Sequence, residues 1–141
     1  MSKPEKSMQL LLDLFSAHTK LQKRIDQQLF LHGISLSEFI VMRCLSIAPE
    51  NSLRRIDLAE QVGLTASGIT RLIAPMEKNN LVTKQANARD ARVSLVKLTE
   101  VGEQIQKDAT ESFKMGAAAI LDGLNQADIS NMANTLARIK V

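Results

Sequence analysis

Leu11, Leu14, Leu21, Ile25 and Leu29 recur at helical steps, with His18 on the same line, and this stripe predicts a long amphipathic first helix. The polar start Met1-Ser2-Lys3-Pro4-Glu5-Lys6 predicts fraying until the helix begins near Ser7. The helix should stop at His32-Gly33, where glycine can adopt the left-handed cap conformation. Ser35 followed by Glu38 is a capping-box pattern, and it opens a second helix with the apolar run Phe39, Ile40, Val41, Met42 and Leu45, expected to be core. Pro49 follows the end of that run, and Glu50-Asn51-Ser52 reads as a polar loop.

Residues 54–62, 63–65 and 66–73 read as helix, turn and helix. Leu58, Val62, Leu64, Ile69 and Leu72 supply the apolar faces, Ala59 is small where two helices cross, and Gly63 suits the tight turn. Asn79-Asn80 can cap the second of these helices. Two short strands are then predicted, at 81–85 and 93–98, joined by the loop Ala86-Asn87-Ala88-Arg89-Asp90-Ala91-Arg92. Thr99, with Glu103 behind it, starts a long helix whose sparse apolar face is Val101, Ile105, Ala109 and Ala117. A last helix follows Asn125. Its stripe of Ile129, Met132, Leu136 and Ile139 is regular enough to pack on another helix, and no later segment of this sequence is there to cover it.

Composition narrows the class. The 141 residues and 45% apolar content suit one folded unit, and with 3% aromatics and no Trp or Tyr the core must rest on aliphatic side chains and Met, which favours helices. No leader pattern is seen and no apolar run approaches the roughly 20 residues needed to cross a bilayer, so a cytoplasmic protein without a membrane role is expected. One cysteine and two scattered histidines leave no disulfide framework and no metal cluster, so no cofactor or metal is expected. Phosphate-binding glycine loops and nucleophile motifs are also missing, which argues against an enzyme.

The net charge is +3, and the excess lies in the middle: residues 65–97 hold six Lys or Arg against two acids, Glu77 and Asp90. Such a surface suits a polyanion. In a helix-turn-helix the second helix enters the major groove with its N-terminal residues against base edges; here these are Thr65, Ala66, Ser67, Gly68, Thr70 and Arg71. Small side chains permit close approach. No acid lies between Gln61 and Met76, and a Thr65 cap would leave the positive helix end facing DNA. Gly68 costs roughly 1 kcal/mol of helix propensity, which either close backbone approach to DNA or tight packing on the preceding helix would explain. Arg89 and Arg92 at a hairpin tip form a wing suited to a minor groove. Asp90 fits a supporting role, orienting Arg92 or Arg71 by a charge-assisted hydrogen bond.

Taken in order, Gly33-Ile34-Ser35-Leu36-Ser37-Glu38-Phe39, Asp57-Leu58-Ala59, Ile69-Thr70-Arg71-Leu72, Asp90-Ala91-Arg92 and Val96-Lys97-Leu98-Thr99-Glu100-Val101-Gly102 resemble the MarR family over roughly residues 8 to 141. The Asp-x-Arg wing followed by Leu-Thr-x-x-Gly is far more specific than a helix-turn-helix alone. The resemblance implies a mainly α fold with a small β-hairpin wing, in which a winged helix-turn-helix lobe at 35–98 is flanked by dimerisation helices at 7–34 and 99–141. It also implies a homodimer on double-stranded DNA, at a pseudo-palindromic operator, acting as a repressor that a small aromatic or phenolic effector releases. By resemblance Arg92 is the minor-groove wing arginine, Asp90 its supporting aspartate, and Thr65 to Arg71 the recognition-helix contacts. Pro75 departs from the family pattern: it cannot donate to the Arg71 carbonyl and predicts a tilt of the helix's second half.

Rival readings attach to single residues. Cys44 could make the protein a redox-sensing regulator, although a thiol inside an apolar run is more often inert core. His18 falls where the resemblance places an effector pocket, against the plainer reading of an interface histidine. Arg54 and Arg55 read either as phosphate contacts or as an exposed, unpaired basic pair. A protein-binding winged helix with no DNA role is the remaining alternative.

Overall fold

The computed structural model describes residues 1–141. Helix α1 (Lys3–Leu29) starts earlier than the polar N-terminus suggested. Ser2 is its cap: the hydroxyl accepts from the Glu5 N–H, the Glu5 carboxylate accepts from the Ser2 N–H at 2.7 Å, and the proline falls in the first turn, where it lacks no intrahelical bond. A single 3₁₀ turn, Phe30–His32, follows, and Gly33 at φ 74° ends it. Ser35 and Glu38 form the expected capping box on α2 (Leu36–Ile47). The two helices are also tied by charge, since the Leu36 N–H donates to Asp26 Oδ1 at 2.6 Å.

After α2 the chain forms β1 (Ser52–Arg54), α3 (Arg55–Val62), α4 (Ala66–Lys78), β2 (Val82–Ala86) and β3 (Ser94–Leu98). The strands make one antiparallel sheet in the order β1-β3-β2, with Leu53 opposite Val96 and Lys84 opposite Val96 from the other side. Strand β1 was not legible in the sequence, because three residues carry no alternation and the partner strand alone makes them extended. The hairpin is as expected, with each strand starting one residue later. Glu50 and Asn51, both at positive φ, turn the chain from α2 into β1.

Helix α4 passes through Pro75 without ending: Ile73 and Met76 on either side are fully buried, while Ala74 and Pro75 face solvent. Because the carbonyl that loses its donor belongs to exposed Arg71, water can serve it. Asn80 at φ 61° then reverses the chain, and the Leu81 N–H returns to the Met76 carbonyl at 2.9 Å.

Helices α5 (Glu100–Ile120) and α6 (Gln126–Ala137) complete the chain, capped by Thr99 and Asn125. The buried face of α5 only partly follows the apolar residues: Ala109 is in the core and Ile105 packs against it, as expected. Val101 is exposed, and the residues turned inward are Gly102, Gln106, Ala109 and Gly116. Small side chains here let α1 and α2 lie close to α5, while Phe113 stacks on Phe39 with ring centroids 5.1 Å apart. Buried Gln106 is satisfied by Thr110, whose hydroxyl accepts from Nε2 at 2.9 Å.

One cluster of 17 buried apolar residues draws on Ile25 and Leu29 of α1, on α2, α3 and α4, on the sheet, and on Ala109 of α5. Only the C-terminal end of the α1 stripe belongs to it. Leu11 and Leu21 of that stripe are exposed in the single chain, as are Met8, Leu12 and Phe15 on neighbouring faces, and α6 buries none of its residues. No single helix is long and apolar enough to cross a membrane.

Candidate nucleic-acid interface

Thr65 is the N-cap of α4, and its Oγ1 accepts from the Gly68 N–H at 3.1 Å. Ala66, Ser67, Thr70 and Arg71 are all exposed on the N-terminal half of the helix, with no acidic residue in its first turn. The hydroxyl of Ser67 lies 3.2 Å from that of Thr65, and the Thr70 hydroxyl donates back to the Ala66 carbonyl at 3.0 Å. The Arg71 side chain is exposed, and no ion pair within the chain holds it. What results is an open helix N-terminus, small and polar, with one unpaired cation a turn in.

Gly68 does not serve tight packing on the preceding helix, one of the two reasons offered by the sequence alone. A Cβ placed there would meet Thr65 Oγ1 at 3.2 Å and Leu64 Cβ at 3.6 Å, both on the residues leading into α4 and neither on α3. The glycine leaves room for the capping threonine. Replacing Thr65 with alanine removes that cap and is expected to lower stability by about 1 kcal/mol, whereas serine should lose far less; urea unfolding of the two variants measures the difference.

The wing is built by side chains closing a tight loop. The Asn87 N–H donates to the Val93 carbonyl at 3.0 Å, Asn87 Oδ1 accepts from the Arg89 N–H at 2.9 Å, and Asp90 Oδ1 accepts from the Arg92 N–H at 3.0 Å. Asn and Asp fold the backbone onto their own side chains in this way. The role of Asn87 was missed in the sequence, although an Asn next to a hairpin end is a recognised signal.

Asp90 also resolves its own ambiguity. Its carboxylate accepts from Arg92 Nε at 3.1 Å and Nη2 at 3.3 Å, and it makes no bond to Arg71. The side chain of Arg92 is nonetheless 91% exposed, so the aspartate fixes its direction without covering it. Arg89 extends from the same loop, also exposed. Hydrogen bonds from Arg92, first from its side chain and then from its backbone, hold the Asp90 carboxyl below the usual aspartate range. A carboxylate lowered in this way keeps its bonds at every pH above its folded titration point and loses them only as pH falls through it. The wing should therefore be unchanged from neutral to mildly acidic solution. An NMR titration is expected to place Asp90 below an ordinary aspartate and to move it partway back in Arg92→Ala, which removes the side-chain donor and keeps the backbone one.

Arg54 and Arg55 are not an unpaired pair. Arg54 chelates Asp57 from Nε at 2.8 Å and Nη2 at 3.1 Å, and Arg55 Nη2 reaches Glu77 Oε1 at 3.3 Å. Both lie where α3 begins, at the opposite end of that helix from the turn leading into Thr65. Cys44 is partly buried, and desolvation pushes its thiol above the ordinary cysteine value although Arg43 pulls the other way. A thiol shifted in that direction is a poor nucleophile. His18 lines an apolar cavity of about 440 Å³ bounded by α1, α5, α6 and the start of α2, where it and Gln22 are the polar members.

Comparison with known proteins agrees with this architecture. Residues 34–94 match the model of the MarR family. The chain is similar to the HTH-type transcriptional regulator MhqR of Bacillus subtilis, with 22% identity over 96% of this chain and 92% of that protein. Among solved structures it resembles Sco3205, a MarR family transcriptional regulator from Streptomyces coelicolor in complex with DNA, at 21% identity and TM-score 0.85, over 97% of this chain and 86% of that one. It also resembles a mutant MarR from E. coli complexed with operator DNA, at 16% identity and TM-score 0.86, over 98% of each chain. The helix-turn-helix and wing arrangement, the match across residues 34–94 and the shared fold lead to one conclusion: the chain is similar to the MarR family of transcriptional regulators and has their winged helix-turn-helix fold.

Proposed function

We propose that the protein is a homodimeric, sequence-specific DNA-binding regulator that represses transcription until a small effector releases it. The observation that carries this reading is the pairing, on one lobe, of an acid-free exposed helix N-terminus from Thr65 to Arg71 with a wing whose Arg92 is aimed by Asp90 yet 91% exposed. Ser67, Thr70 and Arg71 would face base edges in the major groove, Ala66 and Gly68 would permit close approach, and Arg89 and Arg92 would enter the flanking minor groove. Relatives with this fold have been solved on DNA, which makes duplex DNA the natural partner.

A dimer is supported by what the single chain leaves uncovered. Phe15 is 68% exposed, Met132 54% and Leu136 51%, on the two terminal helices and away from the cluster that holds the lobe together. Apolar faces of this extent on a soluble chain mark contact surfaces. We assign residues 7–34 and 99–141 to dimerisation and 35–98 to DNA binding. Two such lobes must set their recognition helices roughly 34 Å apart to meet successive half-sites.

The apolar cavity beside His18 is the candidate effector site, because it touches both terminal helices and Leu36 at the entry to the lobe. A ligand there could alter the spacing of the two lobes, provided it binds one spacing better than the other. To test the reading, purified protein is mixed with sheared genomic DNA at increasing salt and the retained fragments are sequenced. Discrete fragments containing an inverted repeat, lying over promoters and released by small aromatic compounds, are expected. Uniform retention of all fragments, or of none, would contradict it.

A further inference from the structure

Four ion pairs occur in the chain; three join residues at most three positions apart, and only Arg55–Glu77 joins two separate helices. Both partners stand at the wrong helix end for electrostatics. Arg55 is the first residue of α3, where the helix dipole repels a cation, and Glu77 is the next-to-last of α4, where it repels an anion. Arg55 also has Nη1 buried with no hydrogen-bond partner. Helix electrostatics and local hydrogen bonding therefore do not account for the arginine at this position, while its bond to Glu77 does.

Position gives that bond a consequence. At the DNA-facing end, α3 and α4 are joined by the turn at Gly63, whose φ of 79° fixes their exit and entry. At the far end nothing covalent joins them, and α4 is weakened there, because Pro75 takes away the backbone donor that would bind the Arg71 carbonyl. Glu77 lies in the turn after this gap. We infer that Arg55 and Glu77 are positioning residues for DNA recognition: their ion pair pins the post-proline end of α4 to the start of α3 and so sets the angle at which the N-terminal half of α4 meets the groove. The proposal rests on the DNA-binding reading above.

The test uses full-length protein and the duplex it selects, with Arg55→Ala, Glu77→Ala, the double alanine variant, and the exchanged pair Arg55→Glu with Glu77→Arg. Binding is measured across a salt series at a temperature where circular dichroism shows every variant folded. Each single alanine variant is expected to weaken binding about five- to tenfold, the double variant to be no weaker than either, and the exchanged pair to recover most of the loss. The salt slope should stay at the wild-type value throughout, since no phosphate contact is removed. Pro75→Ala added to Glu77→Ala should also recover binding, by restoring the backbone bond. Single variants within twofold of wild type overturn the proposal. So does a salt slope reduced by about one in Arg55→Ala, which would make Arg55 a direct phosphate contact. Wild-type protein that selects no duplex overturns the DNA-binding reading, and the proposal with it, before any variant is made.

Discussion

Arg92→Ala is expected to weaken binding to the selected duplex by about 10- to 100-fold and to flatten its salt dependence by about one unit of slope, with no change in thermal stability. The two halves of that expectation come from different observations. Its guanidinium is exposed and bonded only to Asp90, two residues away in the same loop, so nothing in the core depends on it. An exposed cation held in one direction is also ready to meet a phosphate or a narrow minor groove without first losing side-chain freedom. Asp90→Asn tests the second half. It leaves Arg92 in place but weakens its anchor, so affinity should fall less than in Arg92→Ala while the salt slope stays near wild type. Competition binding of the three proteins on one labelled duplex gives the comparison.

The second large effect concerns folding. Gly102→Ala is expected to destabilise the protein by about 3 kcal/mol, read as a lower urea midpoint at unchanged slope. A Cβ at Gly102 would be driven into the backbone carbonyl of Leu81 and would press on Leu98 Cδ1 at 2.9 Å. The carbonyl cannot move aside, because it accepts from the Thr99 N–H and the Thr99 hydroxyl, each at 3.1 Å. Thr99 in turn accepts from the Gly102 N–H at 2.9 Å. The Leu-Thr-x-x-Gly pattern is thus a steric device: it packs the start of α5 against the strand that leads into the wing. By contrast Gly123 has open space around it, and Gly123→Ala is the control for a glycine change without a clash.

Much of the winged helix-turn-helix lobe was legible because its signals are local. Ser35 with Glu38, Thr65 and Thr99 each cap a helix through their own side chains, so the sequence alone marks the starts of α2, α4 and α5. Gly33, Gly63 and Asn80 mark left-handed turns for the same reason. What failed depended on partners distant in the chain. Strand β1 exists only because β3 lies beside it, and the inner face of α5, although it includes the expected Ala109, also turns Gly102, Gln106 and Gly116 inward, which apolar periodicity does not reveal. Arg55 shows the same limit, since its partner lies 22 positions away. The start of α1 is a different case. Ser2 and Glu5 were visible as a local cap, and the proline between them was read as a breaker although a first-turn position tolerates it.

The candidate site divides along the same line. Position in the helix and the wing loop placed Thr65, Ser67, Thr70, Arg71, Arg89 and Arg92 on exposed surface, where the structure also has them. The choice of Arg92 over Arg71 as the partner of Asp90 required geometry, because both arginines were chemically equivalent candidates.

The most direct measurement is selection of bound sequences from a random duplex pool by purified wild-type protein and by Arg92→Ala in parallel. The account predicts that wild type enriches an inverted repeat with half-sites about one helical turn apart, and that Arg92→Ala enriches the same repeat weakly, with its flanking minor-groove preference lost. Enrichment of no sequence by wild type, or equal enrichment by the two proteins, would contradict it.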